Sequence, residues 1–284
     1  MNNNIFKEVK QKVFQSSNPL FFYMGVNAIL FLFVAITTVF IWLSGNNFDI
    51  SFCVREYLGL PAEISKLPER FYTVVTYMFF HEGFLHLLFN MIGLYWFGNI
   101  FMNFLATKQF HFVYIVGGLM GAFFYVAGLN IFPVFAGGLS GATVIGSSAA
   151  VMAIITATAT LVPNYAVMML FIGEVKIKWI AIVYFIISFI GLSSANAGGN
   201  FSHIGGAILG FVFIKSLQGG NDWSKIFERK SKLKVVVNDQ PIKKSSFKGV
   251  SQQEIDAILD KISTSGYDKL SAMEKEKLFK ASKD

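Results

Sequence analysis

GGLSGATVIGSSAAVMAIITATATLVP, residues 137–163, runs from a glycine-rich loop into an alanine-studded apolar helix, with Ser148 at the changeover. From Ala149 to Val162 the helix has about 14 residues, roughly 21 Å at 1.5 Å per residue, against a bilayer hydrocarbon core of roughly 30 Å. It therefore starts below the membrane surface. Non-helical backbone is tolerated at that depth only where it is buried in protein or lines a wet cavity. A serine at this point implies a water-accessible pocket inside the bilayer.

The rest of the composition agrees with a polytopic membrane protein. The chain has 284 residues, 54% of them hydrophobic and only 14% charged, with 32 phenylalanines, which is too apolar for an ordinary soluble domain. No Asp, Glu, Lys or Arg lies between Lys108 and Glu174, or between Lys178 and Lys215. The formal charge of +7 is concentrated, because 14 of the 24 Lys and Arg residues follow position 216. That pattern suits a cytoplasmic tail and argues against a nucleic-acid partner. Cys53 is the only cysteine, so intrachain disulfides, dithiol chemistry and cysteine metal clusters are excluded. The N-terminal stretch lacks a short apolar core followed by a small-residue cleavage site, so no removable signal peptide is expected.

Six spans are predicted, an all-α bundle within residues 19–217. Residues 1–18 form a basic N-terminal segment with Lys7, Lys10 and Lys12, and Pro19 to Leu43 makes the first span. Residues 44–80 mix aromatics with acidic Asp49, Glu56, Glu63 and Glu69, which suits an interfacial loop that does not cross. The next spans are expected from His86 to about Phe104, from His111 to Asn130 and from Ser148 to Pro163. Period-two alternation at Val175, Ile177 and Trp179 predicts a small hairpin. The fifth span follows from about Trp179 to Leu192. The polar SSANAGGNFS stretch reads as an outer loop, and the sixth span from about Ser202 to Leu217. Six spans put both ends on one side, and the lysines place that side in the cytoplasm. Residues 218–250 read as a basic linker. Ser251 with Glu254 and Ser271 with Glu274 each fit a capping box, so residues 251–284 are expected to form a helical hairpin.

Few residues in the spans can carry chemistry. His81, Glu82 and His86 do not make a zinc helix, because five residues put the two histidines about 140° apart on a helix, where the metalloprotease motif needs them on one face. No metal and no cofactor is expected. His86 and Asn90 are four apart and share a face. His203 in a charge-free span is a functional hypothesis by default. Gly206 and Gly210 lie on its face, and Ala149, Ala153 and Ala157 recur every fourth residue on the fourth span. Small residues on both helices let their backbones approach, which would bring His203, a base, to Ser148, a nucleophile. Ser140, in Gly138 to Gly141, is a rival nucleophile.

These motifs together, HEGFLHLLFN at 81–90, GSSA at 146–149 and HIGGAILG at 203–210, resemble those of the rhomboid family of intramembrane serine proteases. The resemblance covers about residues 20–217 and implies a six-helix core, no cofactor, and cleavage of transmembrane protein substrates near their outer ends. It implies Ser148 as nucleophile and His203 as general base, with His86, Asn90 and the Gly146 turn supporting the oxyanion. No carboxylate is available in the charge-free spans, so a dyad is expected and not a triad. A catalytically inactive relative that binds membrane clients is the alternative. This sequence has Ala149 where the family usually has glycine, Met152 for a frequent aromatic, Tyr72-Thr73 for a Trp-Arg pair, and Met102 for a glutamate. The architecture is that of a bacterial inner-membrane protein, and the oligomeric state is left open.

Overall fold

The computed structural model describes residues 7, 10–16, 18–169, 172–227 and 251–282. The chain divides into two units, one ending at Arg229 and one starting at Lys230. Among its described residues, besides a single α-helical turn at Thr73–Thr76, the first contains the helices α1 (Pro19–Leu43), α2 (Ile50–Leu58), α3 (Phe84–Phe104), α4 (Thr107–Ile131), α5 (Ser148–Leu161), α6 (Ile177–Ile190) and α7 (Ala197–Gln218). Helices α1, α3, α4 and α7 are long and apolar enough to cross a membrane, whereas the apolar runs Ser148–Leu161 and Ile177–Ser193 are shorter.

The fold is mostly helical and not purely so. Two short antiparallel ladders interrupt it: β1 (Leu60–Pro61) with β2 (Thr143–Val144), and β3 (Ala166–Met169) with β4 (Gly173–Lys176). The second ladder is a hairpin just where one is expected, but of the alternating residues only Val175 lies in a strand, while Ile177 and Trp179 already belong to α6. The first has no pattern in the sequence, because two residues are too few to show a period, yet it ties the segment after α2 to the glycine-rich loop before α5.

Helices α4, α5 and α7 form the centre, and glycine decides how closely they pack. A Cβ at Gly206 would overlap the Ala149 carbonyl oxygen, and one at Gly210 would overlap that of Ala153. On the other side, Gly117 faces the Ala153 methyl and Gly121 the Ala149 methyl. Ala149 thus fits because Gly121 leaves room for it. This is small-residue packing of the kind that drives helix association in lipid. By contrast, Phe33 and Phe40 on α1 are 65% and 68% exposed, as expected of side chains facing acyl chains.

Two helices start a turn or more earlier than the sequence expectation, α4 at Thr107 where His111 is expected and, with more consequence, α7. Residues Ala197 to Ser202 are helical and open α7, so the stretch read as an outer loop is largely inside the membrane helix. Its glycines serve contact and not a turn: a Cβ at Gly198 would meet the Tyr125 ring at 2.5 Å. Asn200 donates to the Gly191 carbonyl at 2.8 Å. His203 is therefore the seventh residue of its helix, a full turn deeper than expected.

After α7, Asp222 accepts from Gln109 Nε2 at 3.1 Å and pairs with Lys108 at 3.6 Å, so the turn at 222–227 is tied to the start of α4. Residues 228–250, most of the stretch read as a linker, lie outside the described residues.

The second unit contains α8 (Gln252–Ser265) and α9 (Ala272–Ala281), each opened by the predicted capping box. Each capping glutamate also receives a lysine from the other helix, Lys277 to Glu254 at 2.7 Å and Lys261 to Glu274 at 2.8 Å. The lysine bond first, and the capped serine second, hold both carboxylates down to about 2. A depressed folded-state value means that the stabilisation is present above the ordinary carboxylate range and lost as pH falls toward 2. In a carboxylate NMR titration of the full chain, both midpoints are expected near 2, and Lys277→Ala should raise that of Glu254 and leave Glu274 in place.

Candidate active site

The turn that carries Ser148 is held at three points. Gly146 has φ +141°, a conformation that favours glycine, and its N–H donates to the Tyr77 carbonyl at 2.9 Å. A Cβ there would lie 2.7 Å from His86 Cε1 and 2.8 Å from Nε2, so the imidazole of His86 occupies the space that the missing side chain leaves. The Ser147 carbonyl accepts from Val151 N–H at 2.9 Å, the first bond of the α5 ladder. The Ser147 hydroxyl is fully buried and lies 3.1 Å from His81 Nε2.

Ser148 is thereby fixed as the first residue of α5. Its amide is among the free N–H groups of a helix start, where the helix dipole favours negative charge. Its side chain lines a cavity of about 750 Å³ together with His86, Asn90, Tyr184 and His203. The residues expected from the sequence to work together therefore share one cavity, although α3, α5 and α7 supply them separately. Ser140 does not line it and sits in an exposed turn between the loop glycines.

His203 is held by α6. Its Nδ1 lies 3.2 Å from Ser188 Oγ, and the Tyr184 ring meets its imidazole edge-on with centroids 5.6 Å apart. Among the described residues, no hydrogen bond joins His203 to Ser148. Such bonds are often long in a free enzyme and tighten with substrate. Asn90 is buried and donates one amide hydrogen to the His86 carbonyl at 2.9 Å, which sets its side chain and leaves the second hydrogen available.

Tyr184, Ser188 and Ser147 carry no role in the sequence reading, and His81 enters it only as a rejected zinc ligand and as part of the 81–90 motif. Tyr184 and Ser188 are four apart in an apolar helix, a shared-face signal that points to a partner such as His203. His81 and Ser147 are 66 positions apart, and no local pattern connects them. The second ring nitrogen of His81 has no hydrogen-bond partner among the described residues. Ser147→Ala therefore removes the one bond that holds this buried ring. It is expected to lower stability by about 1–3 kcal/mol, read as a lower midpoint for thermal unfolding in detergent.

A family model described as the rhomboid domain matches residues 68–218, the interval that contains every one of these groups. The chain belongs to the rhomboid family. A second model, a family of unknown function (DUF6576), matches residues 245–284 and so covers the helical hairpin of this rhomboid. No curated protein matches the chain at a significant level. The family match makes this an integral membrane protein with a mostly helical rhomboid domain, related to intramembrane proteases.

Proposed function

We propose that this rhomboid is a serine endopeptidase that hydrolyses peptide bonds in or beside transmembrane segments, with Ser148 as nucleophile and His203 as general base. The observation that carries the reading is the shared cavity: Ser148 at a helix start and His203 line it together, and the Nδ1 side of His203 is already engaged by Ser188. With Nδ1–H donated to Ser188 Oγ, Nε2 keeps its lone pair for the Ser148 proton.

The reaction follows from those roles. Ser148 Oγ attacks the substrate carbonyl carbon while His203 Nε2 takes the hydroxyl proton. The carbonyl oxygen becomes an oxyanion, stabilised by the Ser148 N–H, the free Asn90 amide hydrogen and His86. Collapse expels the amine, which takes the proton back from His203. Water from the cavity then attacks the acyl ester, again with His203 as base, and releases the acid and free serine. Because one oxyanion donor contributes about 3 kcal/mol, Asn90→Ala is expected to lower kcat about 100-fold with little change in KM.

The span count and orientation belong to the same reading. Helices α5 and α6 cross with the four longer ones to give six spans, and the lysine-bearing ends face the cytoplasm of a bacterial inner membrane. Ser148 then lies toward the outer face, where the end of a substrate span becomes accessible. A peptide bond in a helix must unwind to reach Ser148, so substrates with helix-breaking residues near their outer end are expected to be favoured. The test is cleavage by the full chain, in proteoliposomes, of a transmembrane substrate carrying Gly-Pro near its outer end. Replacing Gly-Pro by Leu-Leu is expected to slow cleavage at least tenfold. No cleavage of either substrate, with tight binding of both, would favour the client-binding alternative.

A further inference from the structure

The cavity at Ser148 is not the only one formed by α5, α6 and α7. Nearer the opposite ends of these helices, a groove of about 540 Å³ is lined almost wholly by apolar atoms. Buried alanines, Ala159, Ala181 and Ala207, line it with Thr156, together with the more exposed rings of Phe185 and Phe211. The groove exists because α5 ends at Leu161 and Pro163 prevents a regular continuation, while the alanines leave the space between α6 and α7 unfilled.

Two cations stand among these residues, Lys178 near the start of α6 and Lys215 near the end of α7. Consecutive helices joined by a short connection place those positions at the same end of the bundle. Each ammonium is already positioned. Lys178 donates to Asn164 Oδ1 at 3.0 Å and lies 5.5 Å from the Trp179 ring centroid. Lys215 reaches Gln218 Oε1 at 3.4 Å and lies 5.8 Å from the Phe211 ring. Among the described residues, neither makes an ion pair with a carboxylate. An apolar groove whose two lysines pair with no carboxylate among the described residues complements an acyl chain joined to an anionic headgroup.

We propose that this groove is a binding site for an anionic phospholipid, with the phosphate held between Lys178 and Lys215 and an acyl chain lying along the alanines. Basic pockets between transmembrane helices recognise anionic headgroups by the same combination of charge and enclosure. The site lies on a different set of residues from the catalytic cavity and does not depend on activity.

The test is native mass spectrometry of the full chain titrated with phosphatidylglycerol or with phosphatidylethanolamine of the same acyl composition. Wild type is expected to retain one phosphatidylglycerol about 10- to 30-fold more tightly than phosphatidylethanolamine. The Lys178→Gln/Lys215→Gln variant should lose that preference, and Lys178→Arg/Lys215→Arg should keep it. Lys176→Gln/Lys225→Gln removes the same charge from residues at that end that do not line the groove, and should keep it as well. Equal retention of both lipids by wild type would overturn the proposal. So would an equal loss in the control pair, which would reduce the effect to general surface charge.

Discussion

Ser148→Ala is expected to abolish labelling of the detergent-solubilised protein by a fluorophosphonate and to lower substrate cleavage by about 10⁴-fold or more. Ser148 is the proposed nucleophile, and removal of one member of a nucleophile and base pair costs nearly as much as removal of both. His203→Ala should fall to the same level, since a serine hydroxyl without a base is a weak nucleophile, and the double variant should be no worse than either single one. Ser140→Ala should label and cleave as wild type does, because Ser140 sits in an exposed turn and does not line the cavity. Persistent labelling of Ser148→Ala would assign the nucleophile elsewhere. A wild-type protein silent in both assays would leave client binding as the function.

Gly206→Val is the second change with a large expected effect, and it acts on the scaffold before the chemistry. Even a single Cβ at position 206 would overlap the Ala149 carbonyl oxygen, a backbone atom that cannot rotate aside. Helices α5 and α7 must then separate, and overpacking of this kind costs about 3 kcal/mol. Because Ala149 directly follows Ser148 and Gly206 lies one turn beyond His203, the same separation moves Ser148 and His203, the proposed nucleophile and base, apart. The expected result is a lower thermal unfolding midpoint together with a loss of labelling that a stabilising lipid or lower temperature does not restore. Recovery of full labelling on cooling would show that only global stability had been affected.

Much of the site was legible along the chain because its chemistry is unusual for its surroundings. A histidine in a charge-free apolar run, a serine opening a helix shorter than the hydrocarbon core, and small residues at four-residue spacing all depart from what lipid alone requires. Those departures single out Ser148 and His203 along the chain, and the structure places both at one cavity. The capping boxes at Ser251 and Ser271 were equally readable, since each is complete within four consecutive residues. The opening of α7 was misread for a related reason: Gly198 and Gly199 suggest a loop locally, and only the Tyr125 ring against Gly198 explains why a glycine-rich stretch is helical.

Composition, charge-free runs and local periodicity thus determined that this is a membrane-embedded helical protein with a serine and a histidine to explain. They report what each segment needs from its immediate solvent, and lipid imposes that need residue by residue. The tertiary structure alone decided which groups meet: Ser188 at His203, His81 at Ser147, the His86 ring over Gly146, and the two-residue ladder between Leu60–Pro61 and Thr143–Val144. These contacts join positions 15 to 84 residues apart. Their geometry depends on how closely α4, α5 and α7 pack, which no single segment encodes.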